Sequence, residues 1–304
     1  MNFKKVLYFF EYLLVRVLGG FLNLLPFSLA LLLAHSLGSF LFLILGRSSR
    51  TALKNLRQVY GSSKSEAEIQ ALAREAFAYL AEFGVEWLRM PKIAKNPERY
   101  LSINNVSRIH TALKENKGAV LLVSHAGNWE IMALIGGLLI AKPSGRPIYA
   151  LARPIKNPYL YDFTLRLRGL TGLESIDKMG AVRGTFKCLK EKGIVCVLVD
   201  QRVSEGGVET NFFGHPALTT SLPALCALRF DAPTFHVFLK RTSDLRYVMD
   251  VEGPVPIENS GDAERDIRIN TQRFNDRIEA EIRKNPTHWL WMHNRWRLRD
   301  GAKD

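Results

Sequence analysis

Apolar positions crowd the first 45 residues and then break into short alternating blocks. Val6 to Leu25 is interrupted by Glu11, Arg16 and Asn23; after Pro26, Phe27 to Leu45 carries only Ser28, His35, Ser36, Gly38 and Ser39 as soft breaks. The second run would extend roughly 28 Å as a helix, close to the thickness of a bilayer's hydrocarbon layer. No small-residue cleavage site closes a short core, as a secretory signal would require. A buried core helix is the competing reading. Arg47, Arg50, Lys54 and Arg57 follow at once, the cation cluster that holds a domain against anionic head groups on the cytoplasmic side. Lys4 and Lys5 leave the orientation open, and Pro26 admits two in-plane helices as well as one crossing.

Beyond residue 46 the periodicity changes. Ser65-Glu66-Ala67-Glu68 has the form of a capping box, and Ile69, Leu72, Phe77, Leu80, Phe83 and Trp87 recur at helical spacing up to Pro91, the expected stop. A helix is expected over 107–116, a strand over 119–123 and a helix over 129–140. Strands over 147–151, 173–176 and 194–199 then alternate with helices over 159–168 and 181–190. Residues 234–239 and 246–251 flank Ser243-Asp244 as a hairpin, and a polar helix over 262–283 precedes an aromatic tail. This alternation predicts an α/β fold with a mainly parallel central sheet flanked by helices, behind an N-terminal membrane-attached helical segment. The expected division is an anchor over 1–46 and one catalytic domain over 47–304.

Composition narrows the partners. A net charge of +13 favours nucleic acid, an anionic membrane surface or an acidic protein. No nucleic-acid-binding motif is visible, so a membrane is preferred. Cys188, Cys196 and Cys226 are odd in number and sit in apolar or helical contexts, as reduced core thiols do.

Candidate chemistry centres on Ser124-His125-Ala126-Gly127-Asn128-Trp129-Glu130, directly after the apolar run Ala119–Val123. A histidine at a strand-to-helix corner lies where open α/β sheets carry their sites. The spacing lets Glu130, on the first helical turn, reach back to one ring nitrogen and leaves the other to accept a proton. A surface His–Glu pair is the ordinary alternative. A metal site is disfavoured, because no further His or Cys stands at ligand spacing. Arg153-Pro154-Ile155-Lys156-Asn157-Pro158, Gly180-Ala181-Val182-Arg183, Asp200-Gln201-Arg202 and Phe212-Phe213-Gly214 fall at or beyond other strand ends.

Together with Pro286, Trp289-Leu290-Trp291-Met292-His293-Asn294-Arg295-Trp296 and Asn55-Leu56, these blocks resemble, in the same order and along essentially the whole chain, the bacterial lipid A late acyltransferase family. That family lies within the wider lysophospholipid and glycerolipid acyltransferases, which share a histidine followed after four residues by an acidic one. The resemblance implies transfer of a fatty acyl chain from acyl carrier protein or coenzyme A, with no other cofactor or metal, to a hydroxyl of a membrane glycolipid. A lipid A precursor is the expected acceptor, at the cytoplasmic face of a bacterial inner membrane. The Gly-Asn-Trp form at the corner is shared with relatives that acylate mannosylated phosphatidylinositol.

Carried onto this chain, His125 would be the general base and Glu130 its partner. Backbone N–H groups at Gly127 and Asn128 would receive the oxyanion, with Arg153 next in line. Arg153 and Arg183 would hold phosphates, and Asn157 and Gln201 would bind substrate beside them. Ile131, Met132, Leu134 and Ile135 with Phe212 and Phe213 would wall the acyl chain, unless they are plain core. Asp200 is either a second carboxylate near His125 or structural. A non-catalytic lipid-binding protein and a thioesterase-like hydrolase are the alternatives.

Overall fold

The computed structural model describes residues 3–296 except 116, 153–154, 178–179 and 204–205, with backbone alone at 152 and 177. Helices α1 (Phe3–Leu24) and α2 (Phe27–Ile44) meet at Pro26, which is extended and not helical. Only 11% of the apolar window of α1 and 28% of that of α2 is buried, so neither is a core helix. Leu14, Val17 and Phe21, with Leu32, Phe40 and Leu43, face outward. Both helices nevertheless pack on the remainder of the fold. At Gly38 of α2 a Cβ would fall 2.4 Å from the Phe77 carbonyl oxygen, so only glycine permits that approach.

Helix α3 (Gly46–Tyr60) exposes Arg47, Arg50, Lys54 and Arg57 and buries Ala52, Leu56 and Tyr60. The expected capping box opens α4 (Glu66–Lys95): Glu68 N–H donates to Ser65 Oγ and Ser65 N–H to Glu68 Oε2. The helix does not stop at Pro91. A proline inside a helix costs about 3 kcal/mol, but Met90 and Ile93 are buried on either side of it, and two such side chains offset roughly that amount.

The rest alternates as expected, with additions. In order come α5 (Pro97–Tyr100), β1 (Leu101–Asn104), α6 (Val106–Lys114), β2 (Ala119–Val123) and α7 (Trp129–Ile135). A π-helical turn over Gly136–Ala141 and α8 (Lys142–Ser144) follow. Next are β3 (Ile148–Ala152), α9 (Pro158–Gly169), β4 (Leu173–Asp177), α10 (Ala181–Lys190) and β5 (Ile194–Leu198). The chain closes with β6 (Gly207–Phe212), β7 (His215–Thr220), α11 (Leu222–Phe230), β8 (Thr234–Arg241), β9 (Tyr247–Glu252) and α12 (Ala263–Lys284). The sequence pattern anticipates neither the antiparallel β6–β7 hairpin, a separate two-stranded sheet, nor β1 and α11.

The main sheet has the order β1-β9-β8-β2-β5-β3-β4. Among the described strands of this sheet only β8–β9 pair antiparallel. Central β2 is buried on both faces. Val120 and Leu122 enter one core with α3, α4 and α12, while Leu121 and Val123 enter another with α6 and α7. All three cysteines are free and buried.

Candidate active site

Register brings the site together. Val123 of β2 lies opposite Leu198 of the parallel neighbour β5, so the residues leaving the two strands, His125 and Asp200, emerge side by side. The His125 amide donates to Asp200 Oδ2 (2.7 Å), and His125 Nδ1 lies 2.8 Å from Oδ1. The Trp289 indole donates to Oδ2 at 2.7 Å. Burial pushes the Asp200 carboxyl up, yet the imidazole, the indole and the His125 amide outweigh it and hold the group below its ordinary value. A carboxylate on Nδ1 places the ring proton there and leaves Nε2 as an acceptor.

This corrects the expected partnership. Glu130 is buried and both its oxygens are taken by Arg168, Nε to Oε2 at 3.0 Å and Nη2 to Oε1 at 2.5 Å. It therefore anchors a forked guanidinium and does not brace the imidazole. The reason is geometric: Asn128 caps α7, accepting from the Glu130 and Ile131 amides (3.1 Å each), and the capped turn directs Glu130 toward α9. Arg168 was not anticipated; its only mark in the sequence is a cation at the end of a predicted helix.

The corner itself is fixed by its neighbours. Gly127 has φ +79°, and a Cβ there would meet the Leu239 carbonyl oxygen at 2.9 Å. Its N–H donates to the His288 carbonyl (3.1 Å), so the expected use of that N–H as an oxyanion donor is corrected. Asn128 Nδ2 donates to Glu86 Oε2 at 2.6 Å. Arg241 joins Glu86 to Glu82, and His35 Nδ1 of α2 lies 2.8 Å from Glu82. Trp129 stands edge-on to His125, ring centres 4.8 Å apart.

Two cavities lie here, side by side. An outer one of about 470 Å³ is lined by His125, Trp129, Arg168, Gln201, Arg202 and Ser221 among others. An inner one of only about 40 Å³, apolar except for Glu130 and Arg168, lies between α7 and the sheet against Met132, Ala133, Gly136 and Leu173. Trp129, Leu151, Arg168 and Leu198 line both. The outer cavity also has an apolar wall of Val197, Leu198, Leu222 and Leu225, so a ligand with a polar head at His125 and a hydrocarbon tail suits it; the inner space has room for a methylene or two.

The remaining expected residues divide. Gln201 lines the outer cavity. Arg183 is exposed near the start of α10, beside Val182, which lines that cavity. Arg153 lies outside the described residues. Asn157 is structural: its Oδ1 caps α9, and its Nδ2 donates to the Tyr8 carbonyl (2.8 Å) and Glu11 Oε2 (2.9 Å), tying α1 to α9. Phe212 and Phe213 do not wall a chain; they are buried among Trp289, Trp291 and Trp296. The fold draws them into the aromatic support behind Asp200. Of the four apolar residues of α7 expected to wall the chain, Met132 lines the inner cavity; Ile131, Leu134 and Ile135 are fully buried core.

A histidine–carboxylate pair at parallel strand ends, beside a cavity with polar and apolar walls, is an arrangement able to accept a proton from a bound hydroxyl. Residues 1–298 match the model of the bacterial lipid A biosynthesis acyltransferase family, and the chain belongs to that family of acyltransferases. It is 25% identical over 251 residues to a phosphatidylinositol mannoside acyltransferase of Mycolicibacterium smegmatis, covering 80% of this chain and 78% of that one. It is 26% identical over 258 residues to a protein of the same name from Mycobacterium tuberculosis, covering 80% and 75%.

Proposed function

We propose that the protein transfers a fatty acyl chain from an acyl thioester to a hydroxyl of a membrane glycolipid, with His125 as general base. The observation that carries this reading is the His125–Asp200 contact at the edge of the outer cavity. An alcohol attacks a thioester well only as its proton departs. Nε2 takes that proton as the oxygen bonds to the thioester carbon, and Asp200 stabilises the imidazolium that forms. Collapse of the tetrahedral adduct breaks the C–S bond, and the imidazolium returns its proton to the leaving thiolate. The products are an ester and a free thiol, with no covalent enzyme intermediate.

Arg168 stands where the acyl carbonyl would rest between the two cavities, and its Nη1 is not engaged by Glu130. It is our candidate for stabilising the developing oxyanion, with Glu130 keeping it in place. The tail would then run along the apolar wall of the outer cavity at Val197, Leu198, Leu222 and Leu225, with a methylene or two in the inner space beside Met132 and Ala133. The exposed apolar sides of α1 and α2, followed by the exposed cations of α3, suit insertion at an anionic, cytoplasm-facing bilayer surface. A bacterial inner membrane and either acyl carrier protein or coenzyme A as donor fit this picture.

The acceptor follows from two sources. The family description makes a lipid A precursor the first candidate; the relatives' names make mannosylated phosphatidylinositol the second. The test is incubation of purified protein with acyl-carrier-protein and coenzyme A thioesters and each lipid in vesicles, with products read by mass spectrometry. One added acyl group on either lipid supports transfer and names the acceptor. Free fatty acid with no acylated lipid would refute transfer and point to a hydrolase; retained lipid with no chemistry would point to a binding protein.

A further inference from the structure

Two carboxylates, Glu82 and Glu86, are buried one turn apart on α4. Arg241, the last residue of β8, divides its fork between them: Nη2 donates to Glu82 Oε2 and Nη1 to Glu86 Oε1, each at 2.5 Å. The connections continue at both ends. Toward the site, Glu86 Oε2 accepts from Asn128 Nδ2 at 2.6 Å, and Asn128 Oδ1 caps the Glu130 and Ile131 amides. Toward the apolar N-terminal helices, Glu82 Oε1 lies 2.8 Å from His35 Nδ1 of α2. An unbroken run of side chains thus links α2 to the turn just after His125.

Stability does not account for this run. Taking ions out of water offsets most of what their attraction gains, and well-packed apolar side chains would hold α4 as firmly. What a buried ion pair supplies is direction. A guanidinium is a rigid planar fork, so carboxylates on its two prongs fix one another's position. Asn128 needs that direction: its side-chain oxygen caps α7 while its amide nitrogen is held on Glu86. The capped turn in turn sends Glu130 to Arg168. At the other end, α2 sits on α4 at Gly38, one turn after His35, where a Cβ would strike the backbone of Phe77 and Ala78. His35 therefore follows any change in how α2 is seated.

We propose that Arg241 is a positioning residue. With Glu82 and Glu86 it carries the seating of α2 to the Asn128 cap, so that α7 and the Glu130–Arg168 pair take up their working geometry only with α2 in place.

This inference rests on the transferase reading for its rate effect alone, and two readouts keep the two apart. In the full-length protein in detergent, hydrogen exchange at the Glu130 and Ile131 amides is followed by mass spectrometry. Separately, kcat and KM are measured with palmitoyl-coenzyme A and each glycolipid in vesicles. His35 is partly exposed, so His35→Ala should fold. It should speed exchange at those amides and lower kcat, each by about fivefold, with KM and vesicle binding unchanged. His35→Asn, whose amide can reach Glu82 in place of Nδ1, should restore both. Asn128→Ser keeps a cap but is too short to reach Glu86, so adding His35→Ala to it should cost nothing further. Unchanged exchange or unchanged kcat in His35→Ala overturns the proposal, and so does an effect of equal size in both backgrounds. No acylation by the unaltered protein would instead remove the transferase reading, and the exchange comparison would still decide for or against the run from α2 to Asn128.

Discussion

Replacing Asp200 by Asn separates the observed dyad from the pairing suggested by sequence proximity. The substitution removes the charge next to the imidazole and leaves the side-chain volume nearly unchanged. Asp200 is fully buried and accepts from the His125 amide and the Trp289 indole while contacting Nδ1. At an effective dielectric near 20, two unit charges about 4 Å apart attract by roughly 4 kcal/mol. That stabilisation exists only while His125 carries the proton in transit, so its loss falls on the chemical step. It corresponds to a drop of about three orders of magnitude in kcat. An asparagine amide would also present an N–H donor where Nδ1–H needs an acceptor, favouring the wrong tautomer. The assay is single-turnover transfer from a radiolabelled acyl thioester to lipid in detergent, run beside Glu130→Gln. Glu130→Gln should weaken turnover through a loosened Arg168 and leave the acid limb of the pH profile in place. Asp200→Asn within tenfold of wild type, with Glu130→Gln inactive and its acid limb abolished, would refute the reasoning.

Three further outcomes are expected. Ala133→Leu narrows the inner cavity and should shift selectivity toward shorter acyl thioesters by at least tenfold, since each excluded methylene forfeits about 0.8 kcal/mol of burial; an unchanged chain-length profile in a folded variant contradicts the placement of the tail. Buried His236 is pushed from 6.5 to about 4, chiefly by burial; as pH falls through that window the unfolded chain takes up a proton that the folded one refuses. Stability should therefore drop by up to about 3 kcal/mol between those pH values, and His236→Phe should flatten that part of the denaturation curve. Phe10→Asp with Leu14→Asp places charge on the exposed side of α1 and should release the protein from anionic vesicles, as followed by flotation; undiminished binding would remove α1 from the membrane contact.

Much of the architecture was legible because local pattern and tertiary fold agree: the β/α alternation, the Ser65 cap, the break at Pro26 and the hairpin around Ser243 all follow from periodicity and turn chemistry. The limits are physical too. Pro91 reads as a stop, yet burial of Met90 and Ile93 carries α4 through it. The β6–β7 hairpin escaped notice because Glu209, Thr210 and Asn211 look like loop residues; alternating Val208, Thr210 and Phe212 was the available signal. At the site, His125 was evident, but proximity in sequence favoured Glu130, five positions on, over Asp200, 75 positions away. Which carboxylate meets the ring depends on β5 lying beside β2, and strand order is not written in local spacing. The same holds for Arg168 and Trp289, whose roles arise only once α9 and the C-terminal segment are packed.

The most direct measurement is the rate at which purified His125→Ala, folded and bound to vesicles as wild type is, moves an acyl group from thioester to lipid hydroxyl. The account predicts a loss of at least a thousandfold with the lipid still bound. Turnover equal to that of the unaltered protein would contradict it.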